Sequence, residues 1–173
     1  FETLREQALR MKVIVLTAKD KICFCEETNC NPDYCPYAKG HFDRVNDAVY
    51  ELLISSDELN REILEEQARK WQVCPYEMSL DIAVWVDAII CDYNYVFDPQ
   101  AHLRRFFGEG NKGDYLFLID EAHNLVERGR QMYSASICKE DFLNIKKKVR
   151  YEDEKLTARL EDCNRGLLAM KRE

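Results

Sequence analysis

Three short apolar runs, KVIVLT at 12–17, IICDYNY at 89–95 and YLFLI at 115–119, are separated by stretches whose apolar residues recur every three or four positions. Runs this short, rich in β-branched and aromatic residues, have the length of strands. Strands divided by helices rather than by tight turns pair in parallel through crossovers, so the order predicts an α/β fold on a parallel sheet. Ligands of such sheets gather at the carboxyl ends of the strands. The third run ends there in Asp120 and Glu121, with His123 two residues on. Acids at a strand-to-helix junction can cap the helix and complement its dipole. They can also serve a nucleotide site, the first holding magnesium and the second orienting the attacking water.

Between the first two runs, Phe42, Val45, Val49, Leu52 and Leu53 repeat at helical spacing, and Leu59, Ile63, Leu64, Ala68 and Trp71 repeat again after Ser55-Ser56-Asp57. The pattern predicts a hairpin of two amphipathic helices. Pro75 suits the first turn of another helix. The end of a helix is expected over 2–10, a short helix or turn at HLRRFF (102–107), and helices near 121–132, 139–149 and 152–171. The stretch 21–87 is too long for an ordinary crossover and reads as an insertion between strands one and two.

From Lys19 to Tyr37 no periodicity survives, and Cys23, Cys25, Cys30 and Cys35 fall at close intervals; Cys74 follows the hairpin, which returns the chain to its start. Eight cysteines in 173 residues are many where structural disulfides are rare, and clustered thiols there more often hold metal. A Cys-x2-Cys zinc knuckle is missing, whereas iron–sulfur clusters accept wider spacing, so a four-thiolate [4Fe–4S] centre is expected. Cys91, Cys138 and Cys163 lie in strand or helix patterns and are expected to pack as small hydrophobes. The net charge of -7 confines any nucleic-acid contact to a local basic patch. No run is long enough to span a membrane, and FETLREQALR lacks the plan of a signal peptide, so a cytoplasmic location is expected.

Taken in order, the cysteine loop, then CPYEMSLDIAVWVDAIICDYNYVFDP, then LIDEAHNL resembles the iron–sulfur DNA helicases of superfamily 2, the XPD-like group, and within it the bacterial DinG-like branch. The resemblance implies a partial RecA-like parallel sheet: residues 1–20 and 88–135 from the first motor domain, 21–87 an inserted, mainly helical iron–sulfur domain, and 136–173 the start of a helical arch domain. It implies Cys23, Cys30, Cys35 and Cys74 as cluster ligands with Cys25 a bystander. Asp120 would hold Mg2+, Glu121 would polarise the water that attacks ATP, and His123 would link the nucleotide to the DNA-bound domain. The function implied is ATP-dependent 5′-to-3′ unwinding of single-stranded or forked DNA. Lys19, Lys39, His41 and Arg44, with Tyr37 and Tyr76 as stacking faces, are the candidate DNA contacts. One departure is large: no G-x4-G-K-[ST] loop is present, and GEGNKGD at 108–114 is the nearest approach, so the chain by itself is expected to be inactive. A non-catalytic iron–sulfur DNA-binding module or a redox sensor is the alternative reading.

Overall fold

The computed structural model describes residues 3, 6, 10–108, 110 and 113–170. The expected helix end over 2–10 falls, apart from residues 3, 6 and 10, outside the described residues. Two compact units divide the chain, Phe1–Asp120 and Glu121–Glu173.

The first unit is built on a parallel sheet of three strands, β1 (Val13–Val15), β2 (Glu58–Leu59) and β3 (Ala88–Ile90), in the order β2-β1-β3. Val13 stands opposite Glu58 on one side and Ala88 on the other. The central strand is the run KVIVLT, whose Ile14 is 0% exposed because neighbours cover both its edges and helices cover its faces. Four helices accompany it: α1 (Lys19–Ile22), α2 (His41–Ser55), α3 (Arg61–Trp71) and α4 (Pro75–Ile82). As the apolar spacing predicts, α2 turns Val45, Val49 and Leu52 inward, with Ala48 beside them, whereas Phe42 of the same series, in the first turn, is 85% exposed. Asn60 stops the chain and restarts it, its Oδ1 accepting the N–H of Ile63 at 3.1 Å as the N-cap of α3. Pro75 takes the first position of α4, where its missing N–H leaves no gap.

The break between the two predicted helices turns out to contain β2. A two-residue strand carries no alternation to read, and it exists only because β1 offers it a ladder. Each long helical stretch therefore becomes a crossover returning to the same sheet. Ile14, Leu16 and Ile22 share one apolar core with Val45, Leu52, Leu59, Leu64, Val73, Met78 and Ile82. Residues from within 21–87 thus pack on the same core as the central strand.

Two expectations fail in their details. Of IICDYNY only Ile89 and Ile90 are strand, as the end of β3. Asp92 turns the chain, its carbonyl taking the N–H of Tyr95 at 3.1 Å, and α5 (Asn94–Phe97) follows, then α6 (Arg104–Phe107). The expected third strand at 115–119 does not form: Leu116 and Leu118 are 88% and 91% exposed. Composition alone does not make a strand, since its backbone groups need a ladder, and among the described residues none is offered. Tyr115 packs instead against Phe106 and Phe107, ring centroids 5.9 and 5.7 Å away.

The second unit has a 3-10 turn (Ala122–Asn124) and three helices, α7 (Leu125–Met132), α8 (Lys139–Val149) and α9 (Glu154–Met170), close to the predicted stretches. Asp153 caps α9 through the N–H of Leu156 at 2.9 Å, and Lys146 of α8 pairs with Glu161 of α9. Among the described residues no helix is long and apolar enough to cross a membrane.

Candidate functional site

The cysteine loop leaves the carboxyl end of β1 through α1. Its polar residues shape it: Asn29 Oδ1 accepts the N–H of Asn31 at 3.2 Å, and Asn31 Oδ1 accepts that of Asp33 at 3.0 Å, two side-chain turns in succession. Phe24 anchors it. Its ring lies 4.8 Å from that of Tyr37 and under the Arg69 guanidinium of α3 at 4.1 Å.

The sulfurs fall into two groups. Cys25 Sγ and Cys35 Sγ are 3.9 Å apart, and burial, with Cys35 and then Cys23 adding to it, pushes the Cys25 thiol up to about 11. Cys30 and Cys74 act instead on the Lys19 ammonium. Its pKa is raised first by a hydrogen bond with the Cys30 thiol, with smaller contributions from Glu77 and Cys74. Cys74 is the residue before α4, and burial raises its thiol as well. Among the described residues no three His, Cys, Asp or Glu side chains close into a metal-holding set. The donors fit an iron–sulfur centre in kind: four thiols on one loop, a fifth returned to it, all soft sulfur ligands. The structure puts Cys25, read as a bystander, beside Cys35. Of the three remaining thiols Cys91 is half-buried as expected, but Cys138 and Cys163 are exposed. Cys138 precedes α8, its thiol donating to Glu140 Oε2 at 3.3 Å, and Cys163 is on a solvent-facing side of α9.

The candidate DNA contacts separate by what each already does. Lys19 Nζ lies 5.3 Å from the Tyr76 ring centroid and 3.8 Å from Glu77 Oε1, so Lys19 and Tyr76 are brought together. Lys39 is exposed and Tyr37 half-buried against Phe24. His41 is only 4% exposed, which removes it from any surface contact. Its Nδ1 accepts the N–H of Cys74 at 3.2 Å. Arg44 is spent inward: Nε donates to Trp71 O at 3.0 Å, and Nη2 to Lys39 O and Gln72 O at 2.8 and 2.7 Å. Sequence reading counted both as free basic residues. The signal available was position, since both precede or enter an amphipathic helix that must be fastened at its start.

A cleft of about 500 Å³ opens at the carboxyl ends of β1 and β3. Tyr76, Glu77, Asp92, His102, Arg104 and Arg105 are among the residues that line it. Arg105 is tied to Asp81 of α4 at 2.5 Å. Asp120, the last residue of the first unit, is exposed, and its carbonyl accepts the hydroxyl of Tyr93. Glu121 opens the second unit at φ 49°, a left-handed conformation that costs a non-glycine residue roughly 1–2 kcal/mol. Its Oε2 is 3.3 Å from His123 Nδ1. Backbone strain of this kind concentrates at functional sites.

The DEAD_2 family matches residues 4–142, a span that holds the cysteine loop, Cys74 and Asp120 to His123. Regulator of telomere elongation helicase 1 of Homo sapiens is 26% identical over 149 residues, 80% of this chain and 12% of that protein. The Fanconi anemia group J protein homolog of Gallus gallus is 36% identical over 76 residues, 44% of this chain and 6% of its own. The Regulator of telomere elongation helicase 1 homolog of Oryza sativa subsp. japonica is 28% identical over 133 residues, 70% of this chain and 13% of that protein. The chain therefore spans only a small part of these relatives. On the match across 4–142, it belongs to the DEAD_2 family of XPD-like superfamily 2 helicases.

Proposed function

We propose that this chain is part of an ATP-dependent DNA helicase that unwinds 5′ to 3′, on a RecA-like motor domain carrying a [4Fe–4S] centre at the DNA fork. The single observation that carries the reading is that one family match covers both the cysteine loop and the Asp120–Glu121 segment. In this reading Asp120 is the magnesium ligand and Glu121 the carboxylate that orients the attacking water. The His123 imidazole, 3.3 Å from Glu121, restrains that carboxylate and links it toward the DNA-bound domain.

Cys30, Cys35, Cys74 and one of Cys23 or Cys25 would hold the cluster; once bound, it supplies a rigid cross-link. The residues of the chain do the rest. Lys19 keeps its positive charge through the neutral range beside Tyr76, giving a phosphate partner and a stacking face next to each other. Lys39, exposed, and Tyr37, half-buried, are further candidate contacts, and the order of the motifs supports the DinG-like placement.

The test is Glu121→Gln in a protein that contains this chain and a phosphate loop. Nucleotide binding is expected to persist while DNA-stimulated hydrolysis falls by a factor of about 10² or more. Unimpaired turnover removes Glu121 from its role. The 173-residue chain by itself is expected to show no turnover, and measurable DNA-stimulated hydrolysis by it would refute the division of labour proposed here.

A further inference from the structure

We propose that His41 is a positioning residue that sets the backbone of Cys74 for metal ligation, an inference that rests on the iron–sulfur reading above. His41 follows Gly40, whose φ of +67° turns the chain so that the first side chain of α2 points into the protein. The imidazole is 4% exposed, and its Nδ1 accepts the Cys74 N–H at 3.2 Å. An accepting Nδ1 carries a lone pair, so the ring proton is on Nε2. Nε2 is buried and, among the described residues, has no hydrogen-bond partner. A phenyl ring would fill the same space without burying an unmatched N–H. The imidazole is therefore there for its nitrogens.

What those nitrogens govern follows from the connectivity. Residues 39–44 are the far end of the cysteine loop, and residues 71–74 are the point where the helical hairpin comes back to it. Arg44 stitches the two by donating to Lys39 O, Trp71 O and Gln72 O, and His41 adds the last stitch at Cys74 itself. The carbonyl of Cys74 accepts the N–H of Met78 at 3.0 Å and starts α4. With its amide and its carbonyl both engaged, Cys74 retains only its side-chain torsion. Its thiol is thus presented from a fixed backbone, which reduces the ordering that ligation demands.

The test uses the 173-residue chain, reconstituted anaerobically with ferrous iron and sulfide, as wild type and as His41→Phe, His41→Asn and His41→Gln. Asn keeps an acceptor at the δ position, whereas Gln moves it to the ε position and Phe removes it. Iron and sulfide content, the rate at which visible absorption bleaches under a chelator, and hydrogen exchange at the Cys74 amide are measured. His41→Phe and His41→Gln are expected to lose the cluster about tenfold faster and to expose the Cys74 amide, while His41→Asn stays close to wild type. If His41→Phe fails to fold, the contrast between Asn and Gln decides alone. Asn bleaching as fast as Gln shows a packing role and overturns the inference. Wild-type iron uptake with unchanged retention in His41→Phe also overturns it, and leaves the iron–sulfur reading standing. A wild-type chain that takes up no iron refutes that reading, and this inference with it.

Discussion

Leu64 tests whether the helices that follow the cysteine loop stand on a core of their own or on that of the sheet. It is 0% exposed on α3 and belongs to the same apolar cluster as Ile14 and Leu16 on the central strand segment. Leu→Ala at a fully buried site removes the transfer free energy of the lost methyl groups and leaves a cavity, about 3 kcal/mol together. Against a total of about 5–15 kcal/mol for a domain of this kind, that is a large fraction. It corresponds to about two powers of ten in the population of the open state. The assay is hydrogen exchange read by mass spectrometry in low urea, following peptides over β1, α2, α3 and α4. With one shared core, exchange in β1 and in α3 should accelerate together by roughly that factor of a hundred. Ile54→Ala on the exposed side of α2 is the control, expected to shift stability by less than about 0.5 kcal/mol. The reasoning is refuted if acceleration stays within residues 41–71 while β1 keeps its protection, for then the insertion folds independently.

The cysteine assignment predicts that Cys30→Ser, Cys35→Ser and Cys74→Ser each abolish iron binding, while Cys91→Ser and Cys163→Ser retain it. The resemblance implies loss in Cys23→Ser and retention in Cys25→Ser, and the 3.9 Å approach of Cys25 to Cys35 is the reason to make both; the reverse pattern moves the ligand to Cys25, and iron kept by every variant ends the cluster proposal. Glu51 carries a pH dependence. Lys70, then the Trp71 indole N–H, lower its carboxyl pKa below 4.5, so its contribution is present above pH 4.5 and is lost as pH falls through the folded value. Urea midpoints of the wild type should fall across that acid window more steeply than those of Glu51→Gln, and parallel curves would show that the pairing contributes nothing.

Much of this protein is written in local patterns. The apolar spacing of Val45, Val49 and Leu52, the cap at Asn60, and Pro75 at a first turn depend on residues within one or two turns of each other, so periodicity and capping chemistry locate α2, α3 and α4. KVIVLT is likewise a central strand because a short β-branched run has few other uses in a core. The same holds for the proposed motifs, since Asp120-Glu121 and the cysteine series are singled out by residue type and order. Pairing and burial over long separations are decided elsewhere. Whether Glu58–Leu59 is a strand depends on β1, 45 residues away in Val13, and the apolar run at 115–119 stays out of the sheet for want of the same thing. His41 and Arg44 read as surface cations until the hairpin brings residues 71–74 against them, 27 to 33 residues later, and turns them into fasteners. Cys25 becomes the neighbour of Cys35 only when two side-chain turns fold the loop back. Side-chain spacing along a chain encodes which face is apolar; which buried donor meets which acceptor is settled only by the packing that brings them together.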